Sequence, residues 1–164
     1  MKGRTLFKKL GISVASLAVM FALAELVTRA AEPGPFSLID RSPYRHDEDL
    51  PHVHKPGFQG RWDGTWYGIN SLGMRGPELE PASAGTRQYR VLAVGDSCTF
   101  GKGILESETW PRQFERRLAA VLGPDVRPVV ANLGVNGFSG KHYLHMIREF
   151  GPRLEPDLVV VGYN

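Results

Sequence analysis

Ser97 stands in the run Gly95-Asp96-Ser97-Cys98-Thr99-Phe100-Gly101, directly after the unbroken apolar stretch Val91-Leu92-Ala93-Val94. A serine hydroxyl is a weak nucleophile until a base takes its proton. At a turn from strand to helix its Oγ is exposed at the sheet edge, where acyl-transfer chemistry is accessible. Two further runs have the same makeup: Asn132-Leu133-Gly134-Val135-Asn136-Gly137-Phe138-Ser139 and Gly162-Tyr163-Asn164. Each places glycine and small polar residues where an apolar run ends. Ligands of open α/β sheets bind beyond the carboxyl ends of the strands, so three such ends in one sheet gather these residues along one edge.

The elements that must position them follow from periodicity. Arg90-Val91-Leu92-Ala93-Val94 lacks alternation, as a strand buried on both faces does. Trp110, Phe114, Leu118 and Leu122 recur at i, i+4 and predict a helix that closes at Gly123-Pro124. Arg127–Ala131 reads as a second strand. A second helix is expected from near Ser139, with Tyr143, Ile147 and Phe150 on one face and its stop at Gly151-Pro152; Asp157–Val161 reads as a third strand. Strand, helix, strand, helix, strand with short connections is the pattern of a parallel sheet covered on both faces. Upstream, Asp63-Gly64 between aromatic-rich flanks predicts a small β-hairpin. Asn70-Ser71-Leu72-Gly73-Met74-Arg75-Gly76 reads as a loop packed on the domain, followed by a linker at Pro81–Gly85.

The N-terminus differs in character. Lys2, Arg4, Lys8 and Lys9 precede an apolar stretch from Leu10 that continues to Val27 across Glu25, the arrangement of a secretory signal or an uncleaved anchor. Residues 1–30 are therefore expected to be a signal anchor, and 31–88 a tether with the hairpin region. The net charge of +3 does not point to nucleic acid: residues 1–30 hold five of the 20 basic and one of the 17 acidic residues, which leaves the remainder at −1. Cys98 is the only cysteine, so no intrachain disulfide forms.

The three blocks, each at a strand end and in this order over about residues 89–164, resemble those of the SGNH/GDSL serine hydrolases. The anchor and the Asn-Ser-Leu-Gly-Met-Arg stretch are similar to tethered bacterial members. The resemblance implies an α/β fold, a three-layer α/β/α parallel sheet of flavodoxin-like type, truncated after its third strand and preceded by an N-terminal membrane helix. It implies a hydrolase of carboxylic acyl or acetyl esters with Ser97 as nucleophile. The Ser97 and Gly137 N–H groups and the Asn164 side-chain amide would serve as oxyanion donors, with neither cofactor nor metal. Its substrate would be a small-molecule, carbohydrate or lipid acyl ester, not nucleic acid. The domain is expected outside the cytoplasm, held by the membrane helix, or secreted if that helix is cleaved.

The family's base and its carboxylate sit in a late Asp-x-x-His block with no counterpart here. His46, His52, His54, His142 and His145 have no motif spacing and read as ordinary surface or packing residues, so the triad is expected to be incomplete and the natural protein to continue past Asn164. Asp96 reads as a turn-fixing residue, Thr99 and Ser139 as cap and turn residues, and Cys98 as a small hydrophobe pointing inward. Trp62, Trp66 and Tyr67 read as hairpin packing rather than a sugar site. A P-loop is excluded because five residues separate Gly95 from Gly101 and Gly103 follows Lys102. No dinucleotide fingerprint follows the first strand either. A catalytically inactive tethered binding or scaffold domain of the same fold is the alternative.

Overall fold

The computed structural model describes residues 2–31, 42–80 and 87–163. It divides into two units, Met1–Arg41 and Ser42–Asn164. The first contains helix α1 (Lys2–Ala31). This helix corrects the membrane expectation, because among the described residues no helix is long and apolar enough to cross a membrane. The physical reason lies in its charge spacing. Lys9 and Glu25 bracket only 15 uncharged residues, about 22 Å of helix against a hydrocarbon core of about 30 Å.

The second unit begins at Ser42, inside the stretch read as tether and hairpin region. Strand β1 (Tyr44–Arg45) pairs antiparallel with β2 (Val53–His54). Between them, Asp47 Oδ1 accepts from the Asp49 and Leu50 N–H groups, and Leu50 is buried in the core. Strands β3 (Gln59–Trp62) and β4 (Thr65–Gly68) form the expected hairpin. Its turn residues Asp63 and Gly64 have φ of 50° and 77°, the double positive of a tight hairpin turn that Asp-Gly supplies at low cost. The Pro81–Gly85 linker lies outside the described residues.

Strand β5 (Arg87–Gly95) is followed by a single helical turn, α2 (Ser97–Phe100), a short 3₁₀ turn at Glu106–Glu108, and α3 (Trp110–Leu122). Then come β6 (Val126–Gly134), α4 (Gly140–Leu154) and β7 (Leu158–Gly162). The sheet is parallel with order β6-β5-β7, so in chain order the second strand lies on one side of the first and the third on the other. That reversal makes the C-terminal end of β5 and β7 a topological switch point, the position where ligands bind in such sheets.

Alternation along β5 and β6 divides the core. Leu92, Val94, Ala131 and Leu133 face Tyr143, Met146 and Phe150 of α4. Val91, Ala93 and Val130 face Trp110, Phe114 and Leu118 of α3. Thr109 caps α3 and Pro111 occupies its first turn, where a missing N–H is harmless. Helix α4 runs past Pro152, which was expected to end it. A proline in the last turn removes one bond, and Glu155 in the left-handed region closes the helix with its N–H on Gly151 O at 2.9 Å.

Candidate active site

Ser97 is the first residue of α2, and Asp96 is its cap: Asp96 Oδ1 accepts from the Cys98 N–H at 2.8 Å. The turn is four residues long and buries Thr99 and Phe100. Cys98 therefore lies on the opposite side and is exposed, which corrects the expectation that its side chain points inward. Thr99 is likewise more than a turn residue. It is fully buried, and its Oγ1 accepts from Trp110 Nε1 at 3.3 Å.

Glycines at the three strand ends let this turn sit directly on the sheet. A Cβ on Gly95 would stand 2.0 Å from Thr99 Oγ1, and one on Gly162 would stand 2.4 Å from the same atom. A Cβ on Gly134 would meet the Phe100 nitrogen at 2.1 Å and the Thr99 carbonyl carbon at 2.5 Å. Buried Asn132 completes the seat, with Nδ2 donating to Thr99 O and Oδ1 accepting from the Gly134 N–H, each at 3.0 Å.

The far end of α2 is held by Arg75, a residue that sequence reasoning left inside a packed loop. Its guanidinium donates to the carbonyls of Phe100, Gly101 and Ile104. It lies over the Tyr67 and Phe100 rings at 4.7 and 4.8 Å. Its own backbone N–H donates to Asn132 O at 3.1 Å, so the loop is stitched to β6. Burial lowers the guanidinium pKa, while Tyr67, Glu106 and Tyr44 pull it back up. The two terminal nitrogens meet carbonyl oxygens and the planar face meets aromatic rings, which favours the charged form, while Nε is buried without a partner among the described residues. The loop's Asn70 also turns inward, its Oδ1 accepting from the Leu72 and Met74 N–H groups.

The hairpin aromatics divide by face. Tyr67 is fully buried, stacks on Phe100 at 5.1 Å, and accepts from the Gly103 N–H. Trp62 packs against Tyr44 and Tyr67, whereas Trp66 is exposed.

The second block leaves β6 through a turn. Val135 N–H donates to Gly95 O at 3.0 Å, joining the two strand ends, and Phe138 N–H donates to Val135 O at 3.2 Å. Gly137 is exposed with φ of 76°, and a Cβ there would meet nothing within 4 Å. Its glycine is thus required by conformation, unlike Gly134, whose glycine is required by space. Ser139 caps α4 as expected, with its N–H on His142 Nδ1. The structure therefore sets Ser97 and Gly137 on adjacent strand ends. Asn164 lies outside the described residues.

No histidine among the described residues hydrogen-bonds Ser97. His52 reaches Asn136 O, His142 the cap of α4, and His145 pairs with Glu149 at 3.8 Å. His54 is buried against Phe100, ring centroids 4.7 Å apart, with Nδ1 on Gly73 O. A pocket of about 250 Å³ is lined by Leu79, Arg90, Leu92, Val129 and Leu154 and does not include Ser97.

His54 yields a pH prediction. Burial pushes its imidazole down from 6.5 to about 4, against the Gly73 hydrogen bond, with His52 and Arg75 adding repulsion. The fold thus prefers the neutral ring. Above pH 6.5 both folded and unfolded chains hold it neutral, and the full stability is present. As pH falls from 6.5 towards 4 the unfolded chain takes the proton first, and about 3 kcal/mol is lost. Denaturant midpoints measured from pH 7 to pH 4 should show that limb in the wild type. It should be flattened in His54→Phe, and an equal slope in both would contradict the assignment.

No family model matches the chain, and no curated protein matches it.

Proposed function

We propose that the protein is a serine-dependent hydrolase of carboxylic esters, of the SGNH/GDSL kind, with Ser97 as nucleophile. One observation carries the reading. The backbone N–H groups of Ser97 and Gly137 stand at neighbouring strand ends, and neither has an acceptor among the described residues. Two unused donors and an unbonded serine hydroxyl at neighbouring strand ends suit a carbonyl that becomes an oxyanion. In the reaction, Ser97 Oγ forms a bond to the ester carbonyl carbon and its proton passes to a base. The carbonyl π pair moves to oxygen, where the two N–H groups and the Asn164 amide receive the charge. Collapse restores the carbonyl and expels the alkoxide, which takes up the proton; water then cleaves the acyl-serine by the same steps. Acyl esters of small molecules, carbohydrate or lipid fit such a site, which requires no metal or cofactor for this chemistry.

Reaction of the intact protein with a fluorophosphonate, followed by peptide mapping, tests the reading. The adduct should sit on Ser97, and modification elsewhere or none at all overturns it. A second reading, a catalytically inactive binding domain of the same fold, is favoured by the lack of any described histidine on Ser97. It requires that no adduct form.

A further inference from the structure

The segment before the hairpin sends one side chain to the candidate oxyanion loop. His52 Nε2 lies 2.9 Å from the carbonyl oxygen of Asn136, a contact across 84 positions of sequence. The carbonyl can only accept, so Nε2 carries the hydrogen and His52 donates. The ring is held from both sides, 4.9 Å from Tyr44 edge-on and 5.8 Å from Phe138. Its backbone is fixed by the β1–β2 pair and by Leu50 in the core.

The acceptor's place in the turn gives this contact its meaning. Val135 to Phe138 is a hydrogen-bonded four-residue turn whose central residues are Asn136 and Gly137. Gly137 has φ of 76°, while Asn136 is not among the residues with positive φ. A positive φ at the third position alone is the signature of a type II turn. Types I and II differ mainly by a flip of the central peptide, here the one joining Asn136 to Gly137, and glycine at the third position makes both accessible. In a trans peptide the C=O and N–H point in opposite directions. Whatever holds the Asn136 carbonyl therefore decides where the Gly137 N–H points.

We propose that His52 is a positioning residue that locks the Asn136–Gly137 peptide in its type II orientation and so aims the Gly137 N–H at the oxyanion. This rests on the esterase reading for its consequence, but the hydrogen bond itself can be tested apart from it. The donated hydrogen bond also polarises the peptide, which strengthens its N–H as a donor.

The test compares His52→Phe, which keeps a ring and loses the donor, with His52→Gln, whose Nε2 reaches a similar point. His52→Leu provides a second variant without a donor, and melting temperatures report fold separately. In isotope-labelled protein the Asn136 carbonyl carbon should shift upfield in Phe and Leu variants and stay near its wild-type position in Gln. For hydrolysis of a short aryl ester, kcat should fall roughly tenfold in the donor-less variants with KM within about twofold, and Gln should recover most of it. An unchanged carbonyl shift, a KM effect alone, or a Gln variant as poor as Phe overturns the proposal. If Ser97→Ala leaves hydrolysis intact, the nucleophile reading falls, while the carbonyl shift still decides whether His52 holds the peptide.

Discussion

Ser97→Ala should abolish fluorophosphonate labelling and lower aryl-ester hydrolysis by the intact protein on the order of 10³-fold or more, the scale on which serine hydrolases lose rate without their nucleophile. The fold should be unaffected. Ser97 accepts the Gly101 and Lys102 N–H groups through its backbone carbonyl, and its hydroxyl has no partner among the described residues. The informative control is its neighbour. Cys98 is exposed on the same turn and is intrinsically the stronger nucleophile. On the proposed reading, Cys98→Ser should keep the adduct on residue 97 at an unaltered rate, because the reading assigns the Ser97 and Gly137 N–H groups to the serine's acyl group. If labelling survives Ser97→Ala but is lost in Cys98→Ser, the chemistry belongs to the thiol and the serine assignment is wrong.

What could be read without coordinates follows the range of the forces involved. Strands β5, β6 and β7 and helices α3 and α4 announce themselves through local apolar runs and i, i+4 spacing, and the Asp63-Gly64 turn through its φ preferences. Asp96 is legible as a turn-fixing residue, and the structure makes it the cap of α2. The N-terminal helix is legible as a helix, but its 15 uncharged residues fall short of a span. What is not legible at Arg75 and His52 is tertiary, and at Cys98 it is the geometry of one turn. Arg75 sits among loop residues, and nothing local says that its guanidinium collects carbonyls from positions 100, 101 and 104. His52 carries no motif spacing because its partner is 84 residues away. The apolar character of Cys98 points it inward, whereas a four-residue turn gives the interior to Thr99 and Phe100 and leaves Cys98 exposed.

The glycines of the second block permit the other large prediction, because two residues three positions apart are glycine for different reasons. Gly134→Ala would force a Cβ to 2.1 Å from the Phe100 nitrogen and 2.7 Å from its Cα. Both are backbone atoms of the α2 turn, and no rotamer change relieves the overlap. The turn must lift from the sheet, breaking the bond from Asn132 Nδ2 to Thr99 O. A loss of at least about 3 kcal/mol is expected, seen as a fall in melting temperature of roughly 10 °C or more. Gly137→Ala meets no atom within 4 Å and must only hold a positive φ, at a cost of about 1 kcal/mol. Its fold should persist, while labelling at Ser97 slows as the turn drifts towards a conformation that redirects the Gly137 N–H. Melting curves and labelling rates of the two variants should therefore separate, with stability lost at 134 and reactivity at 137. A Gly134→Ala protein that melts like the wild type would mean that α2 does not rest on the strand ends, and the support proposed for Ser97 would go with it.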